Sequence, residues 1–115
     1  MKIVKTGYYG LDELDGKDSR SEDWKKQRKE RGFDSSELWS LGDTIVKFSL
    51  PRIKEMQRIE SEVNADYNAY EYNALIEGLE IFIRSNGNRI FTNKEEKKVQ
   101  KALDLFGKML PGMWY

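Results

Sequence analysis

From Ile45 the apolar positions are Ile45, Phe48, Ile53, Met56, Ile59 and Val63, close to one face of a 3.6-residue period. They predict a helix with Pro51 inside it. Proline lacks the N–H that would bond the carbonyl of residue 47, so a kink or a split is expected there. Tyr72, Leu75, Leu79, Phe82 and Ile83 predict a further helix, with a cap offered within Asn64–Asp66. Its expected stop is Ser85-Asn86-Gly87-Asn88, a turn of residues tolerant of left-handed backbone, followed by a short extended link, Arg89-Ile90-Phe91. Thr92 and Glu95 then form a capping box. The helix it opens has Val99, Ala102, Leu103, Phe106, Met109 and Leu110 on its expected inner face. Pro111-Gly112 ends it, leaving Met113-Trp114-Tyr115 as an apolar tail.

The first half of the chain is punctuated by caps. Ser21 is a good N-cap, with Glu22 and Asp23 in the first turn, where carboxylates favour the helix dipole. The charged helix through Arg31 has Trp24 as its main apolar anchor and Gly32 as its stop. Asp34 and Glu37 make an acidic capping box that should start another helix, which Gly42 weakens and Ser40 or Asp43 recaps. Residues 1–20 look irregular: Gly7, Gly10 and Gly16 break them up, and Asp12, Glu13, Asp15 and Asp18 make them acidic. Ile3-Val4 and Tyr8-Tyr9 offer a strip that could pin this arm to the body; a flexible tail is the alternative. The expected fold is all-α: a small irregular helical bundle of about four helices over 21–115, with an irregular N-terminal arm, extended or flexible, over 1–20.

Composition narrows the chemistry. A chain of 115 residues is most simply one domain. With no cysteine and no histidine, it has neither thiolate chemistry nor the commonest general base, and Cys/His zinc sites are excluded by inventory. Twenty basic and twenty acidic side chains cancel, which argues against non-specific nucleic-acid binding through a positive field. The apolar runs are far shorter than a membrane span, and Met1–Gly7 lacks the apolar core of a signal peptide, so a cytoplasmic location is expected.

The block Arg31–Lys54 is the most specific stretch, and two readings of it stay open. In one, it is a helical corner whose Trp39 and Phe48 fill the core. In the other, Arg31, Trp39, Lys47 and Arg52 form an anion or nucleotide site, guanidinium for phosphate and indole for stacking. Tyr67 and Tyr70, three apart, are candidates for a shared helix face at a binding surface or for a packed rim. The basic run Trp24–Arg31 is diluted by Glu22, Asp23 and Glu30, as on a solvated helix. The acidic arm lacks the Asp-x-Asp-x-Asp-Gly ladder and distal Glu of a calcium loop. Glu77 and Glu80 are the only candidate catalytic carboxylates, and a helical surface pair is their ordinary explanation. No phosphate loop, nucleophile elbow or metal-ligand spacing occurs, so neither an enzyme nor a cofactor is expected.

Arg31-Gly32-Phe33, Trp39-Ser40-Leu41 and Thr44-Ile45-Val46-Lys47-Phe48-Ser49-Leu50-Pro51-Arg52-Ile53-Lys54 together resemble the shared motif of a family of small, functionally uncharacterised tailed-phage proteins. Ala102-Leu103-Asp104-Leu105-Phe106 and Trp114 are similar to that family's C-terminal pattern. Gly42 stands where family members often carry Asp, and the polar run Glu60–Tyr70 replaces their Gly-Tyr-Pro link. The resemblance implies a phage accessory protein acting in the infected cell. The leading expectation is a protein that binds and inhibits a host defence protein, an anti-CRISPR being one instance. The alternatives are a sequestering protein for a signalling nucleotide, with a pocket shared across a homodimer, and a DNA-binding regulatory module.

Overall fold

A computed structural model describes residues 3–5, 12–14, 19–84 and 90–114. Among them are four α-helices: α1 (Ser21–Arg31), α2 (Leu41–Val63), α3 (Ala69–Ile83) and α4 (Asn93–Met109). The all-α organisation with about four helices is therefore the observed one. The arm adds a short antiparallel ladder, β1 (Ile3–Lys5) with β2 (Asp12–Leu14), in the register Ile3↔Leu14, Val4↔Glu13, Lys5↔Asp12. The Tyr8-Tyr9 anchor, the calcium-loop candidates Asp15–Asp18, the turn Ser85–Asn88 and Arg89 lie outside the described residues. No helix among the described residues is long and apolar enough to cross a membrane.

The chain forms two compact units, Met1–Phe48 and Ser49–Tyr115. In the first, Arg20 rather than Ser21 is the N-cap of α1, and no side chain caps it; Ser21 is buried as the first helical residue. Gly32 ends α1 as expected, at φ 90°, a left-handed conformation that costs glycine no Cβ clash, with its N–H bonded to the Arg28 carbonyl. The Asp34–Glu37 capping box forms too, but it opens a single 3-10 turn, Ser35–Leu38, instead of an α-helix. Ser40 directly precedes α2, and its hydroxyl donates to Asp43 at 2.9 Å.

Helix α2 runs through Pro51 unbroken, so the expected split does not occur. Its inner face also differs from the expected one. Ile53 is buried as expected, but so are Asp43, Val46 and Leu50, whereas Ile45, Phe48 and Val63 are exposed. Both sets keep helical spacing, and apolar periodicity alone does not choose between them.

In the second unit α2 closes at Val63, and Asn64 turns the chain instead of capping the next helix: its Oδ1 accepts from the Asp66 N–H at 2.9 Å. The N-cap of α3 is Asn68, accepting from the Glu71 N–H at 3.0 Å. Tyr72, Leu75 and Leu79 are buried as expected. On α4, Val99 and Ala102 are buried, but Leu105 takes the inner place expected for Leu103, and both Leu103 and Leu110 face solvent. Helices α3 and α4 pack on each other where α3 has no side chain: a Cβ built on Gly78 would lie 2.3 Å from the Ala102 Cβ and 2.4 Å from the Lys98 carbonyl oxygen.

The Thr92–Glu95 box opens α4 as the sequence indicates. Glu95 N–H donates to Thr92 Oγ1 at 3.1 Å, Thr92 N–H to the Glu95 carboxylate at 3.0 Å, and Arg84 pairs with that carboxylate at 2.6 Å. The backbone bond from Thr92, with Arg84 second, holds the Glu95 pKa below its ordinary value. A depressed carboxylate stabilises the fold above its unfolded pKa, and that contribution is lost as pH falls through the folded one. Glu95→Gln should therefore lower the melting temperature at pH 7. The gap to wild type should close as the pH falls below the usual carboxylate range, which thermal melts across pH will read. A gap that stays constant would show that the charge of Glu95 is not what matters.

Candidate functional site

The corner between α1 and α2 is over-determined by polar contacts. Asp34 is fully buried, accepting from the Ser36 N–H at 2.9 Å, from the Ser36 hydroxyl, and from Arg28 Nη1 at 2.5 Å. Its own N–H donates to Glu37 Oε2 at 2.7 Å. Burial raises the Glu37 pKa, opposed by the bond from the Asp34 backbone. Gln27 on α1 accepts from the Ser35 N–H at 2.8 Å, and the Thr44 hydroxyl on α2 donates to the Glu37 carbonyl at 2.6 Å. Both flanking helices are thus tied to the 3-10 turn between them.

With its polar groups turned inward, the corner presents apolar side chains outward. Trp39, directly after the 3-10 turn, is 63% exposed, whereas Trp24 on α1 is only 3% exposed. The two indoles meet edge to face, centroids 5.5 Å apart at 75°. The Arg20 guanidinium lies 5.1 Å from the Trp24 ring centre and 4.8 Å from that of Trp39, so one cation serves both rings. Among the described residues of this unit, Phe33, Leu38, Leu41, Ile45 and Phe48 are the other large apolar side chains exposed. Leu41, Ile45 and Phe48, at i, i+4 and i+7, form a stripe on α2 facing away from buried Val46.

The six candidate residues are therefore distributed as follows. Arg31 is exposed on the corner, but its partners are the Phe33 carbonyl (3.0 Å), the Ser35 hydroxyl (3.2 Å) and the Phe33 ring (4.4 Å). The cation that meets Trp39 is Arg20. Lys47 and Arg52 are both half-buried on α2, one in each compact unit. Tyr67 precedes the N-cap of α3, so it does not share a helix face with Tyr70. It accepts from Gln57 at 2.9 Å and stacks on Tyr72 at 5.7 Å. Tyr70 meets Lys101 of α4, whose ammonium donates to its hydroxyl at 2.5 Å.

Sequence reasoning missed Arg20 and the outer stripe of α2. Arg20 stands four residues before Trp24, a helical spacing that is a usable signal for a stacked pair. Ile45 and Phe48 of that stripe were legible as apolar positions, but were placed inside.

The second unit has an open hollow of about 850 Å³ over Leu50, Ile76, Ile81 and Ile83, and a smaller one of about 350 Å³ beside Tyr70 and Lys101. Charges lining them pair with one another, Lys54 with Glu80 at 3.6 Å and Lys98 with Glu77, and elsewhere in the unit Lys108 pairs with Glu71 at 2.6 Å. Glu77 and Glu80 thus each face a lysine. On α1, Lys25 pairs with Glu22 and Lys26 with Glu30, as on a solvated helix. No group of three or more metal-ligating side chains occurs among the described residues. No protein-family model matches the chain, and no curated protein or solved structure is significantly similar to it.

Proposed function

We propose that this chain is a non-catalytic binding protein that occupies and inhibits a bacterial defence protein through the Trp39 corner. The observation that carries this reading is that Trp39 is exposed yet already held in place by Trp24 and Arg20. A rigid aromatic anchor loses little conformational freedom on binding, and tryptophan and arginine dominate binding hot spots. Leu38, Leu41, Ile45 and Phe48 are further exposed apolar side chains of the same unit, and exposed apolar surface is what marks interaction sites. The resemblance of Arg31–Lys54 to tailed-phage proteins implies an infected cell as the setting, and a defence protein is the partner we propose for it there.

The test is phage plating on a panel of host strains, each carrying one defence system and expressing the chain. Plating should rise at least tenfold against one system. Trp39→Ala and Ile45→Glu should abolish that rise while keeping the wild-type melting temperature to within a few degrees. No rise on any strain, or two fully active variants, would refute the proposal.

A further inference from the structure

We infer that the second unit carries a separate surface for single-stranded nucleic acid, in which lysines along α4 follow the phosphates and Tyr70 stacks on a base. This goes beyond the inhibitory reading and does not rest on it. Helix α4 has five lysines, Lys94, Lys97, Lys98, Lys101 and Lys108. At about 100° per residue all of them fall within an arc of roughly 100°, spread along about 21 Å of helix axis. The carboxylates of the helix are sorted away from that stripe. Glu95, paired with Arg84, and Glu96 lie elsewhere on the circumference, and Asp104 stands at the stripe's edge, accepting from Gln100 at 3.0 Å. Two of the lysines are engaged by α3, Lys98 by Glu77 and Lys108 by Glu71. Lys94, Lys97 and Lys101 are exposed, and among the described residues none of them pairs with a carboxylate. Like charges three and four residues apart repel, and Lys94 also sits in the first turn, where the helix dipole disfavours a cation. A polyanion along the stripe relieves both costs.

Tyr70 narrows the kind of polyanion. It is 66% exposed and is fixed to the stripe by Lys101, whose ammonium donates to its hydroxyl and lies 4.6 Å from its ring centre. Tyr70, Asn73, Lys98 and Lys101 share the hollow of about 350 Å³. The Asn73 Oδ1 is taken by Gln57 at 2.8 Å, which leaves its amide N–H groups for a base edge. An aromatic ring beside a line of cations is how unpaired bases are held without regard to sequence. A duplex keeps its bases stacked on one another and has none to offer the ring. An anionic membrane would call for apolar side chains beside the lysines, whereas the exposed Leu103 lies on the opposite side of α4. Because acidic and basic residues cancel over the whole chain, the attraction is confined to this stripe.

The probe is a fluorescein-labelled single strand of twelve nucleotides, titrated with the full chain and read by anisotropy. Three phosphate contacts predict that log affinity falls against log salt with a slope of about −2 between about 50 and 200 mM. Lys97→Gln combined with Lys101→Gln should weaken binding at least tenfold at the low-salt end and flatten the slope to about −0.7. Lys26→Gln on α1 removes a charge elsewhere and should change nothing. Tyr70→Ala should weaken binding roughly fivefold or more at an unchanged slope, whereas Tyr70→Phe keeps the ring and the affinity. These substitutions all alter exposed side chains, and thermal melts check that each variant stays folded. No anisotropy change at low salt, a slope near zero, an equal loss with Lys26→Gln, or indifference to Tyr70→Ala would overturn the inference. So would a duplex of the same length bound as tightly as the single strand, because Tyr70 would then contribute no stacking. None of these outcomes bears on the plating assay, which tests the Trp39 corner.

Discussion

Gly78→Ala is expected to destabilise the protein by about 1–3 kcal/mol or more, the range for overpacking a filled interior. The added methyl would meet the Ala102 Cβ at 2.3 Å and the Lys98 carbonyl oxygen at 2.4 Å. A backbone carbonyl cannot swing aside as a side chain does, so relief requires α3 and α4 to separate, and with them Leu75, Leu79, Val99 and Leu105. Alanine's better helix propensity, about 1 kcal/mol over glycine, works in the opposite direction and is outweighed. Gly107→Ala on α4 isolates that propensity, because its Cβ would meet nothing within 4 Å. That variant should be unchanged or up to about 1 kcal/mol more stable. Urea unfolding of the two, side by side, separates packing from propensity. Equal stabilities would mean that α3 and α4 do not approach so closely at Gly78.

The second large effect is at Asp34. Asp34→Ala removes the acceptor that holds both the 3-10 turn and Arg28, whose side chain is only 13% exposed. Breaking one partner of a buried pair typically costs about 3–5 kcal/mol, because the remaining charge loses its counter-charge in a poorly solvated place. Asp34→Asn keeps an oxygen for the Ser36 N–H but loses the charge facing Arg28, so it should fall between wild type and alanine. Near-ultraviolet circular dichroism reports the consequence directly, since Trp24 and Trp39 sit at this corner. The alanine variant should lose the signal of the paired indoles at a lower urea concentration than wild type. Unchanged unfolding would show that the buried pair contributes nothing to the corner.

What the sequence revealed, and what it hid, follows from which interactions are local. Gly32, the Asp34–Glu37 box and the Thr92–Glu95 box were legible because each is closed within a few residues by its own backbone. Caps with a near-equivalent neighbour were not: Arg20 holds the position expected for Ser21, and Asn68 the one expected within Asn64–Asp66. On α2 two apolar stripes compete, and tertiary packing chose the one containing Asp43 and Val46 over the one containing Ile45 and Phe48. The position of Pro51 in the continuous helix was likewise decided beyond the local pattern. The candidate site was therefore half legible. One of the two readings left open put Trp39 in the core, where its exposure does not place it, and the other grouped it with Arg31. Trp39 instead pairs with Arg20 and Trp24, a contact between elements that spacing alone does not give.

Once plating identifies a defence system, the most direct measurement is light scattering of its protein mixed with the purified chain, in wild-type and Ile45→Glu forms. The account predicts a stoichiometric complex with wild type and two separate species with Ile45→Glu, although both forms of the chain melt at the same temperature. A complex of undiminished mass and affinity with Ile45→Glu would place the binding surface elsewhere and contradict it.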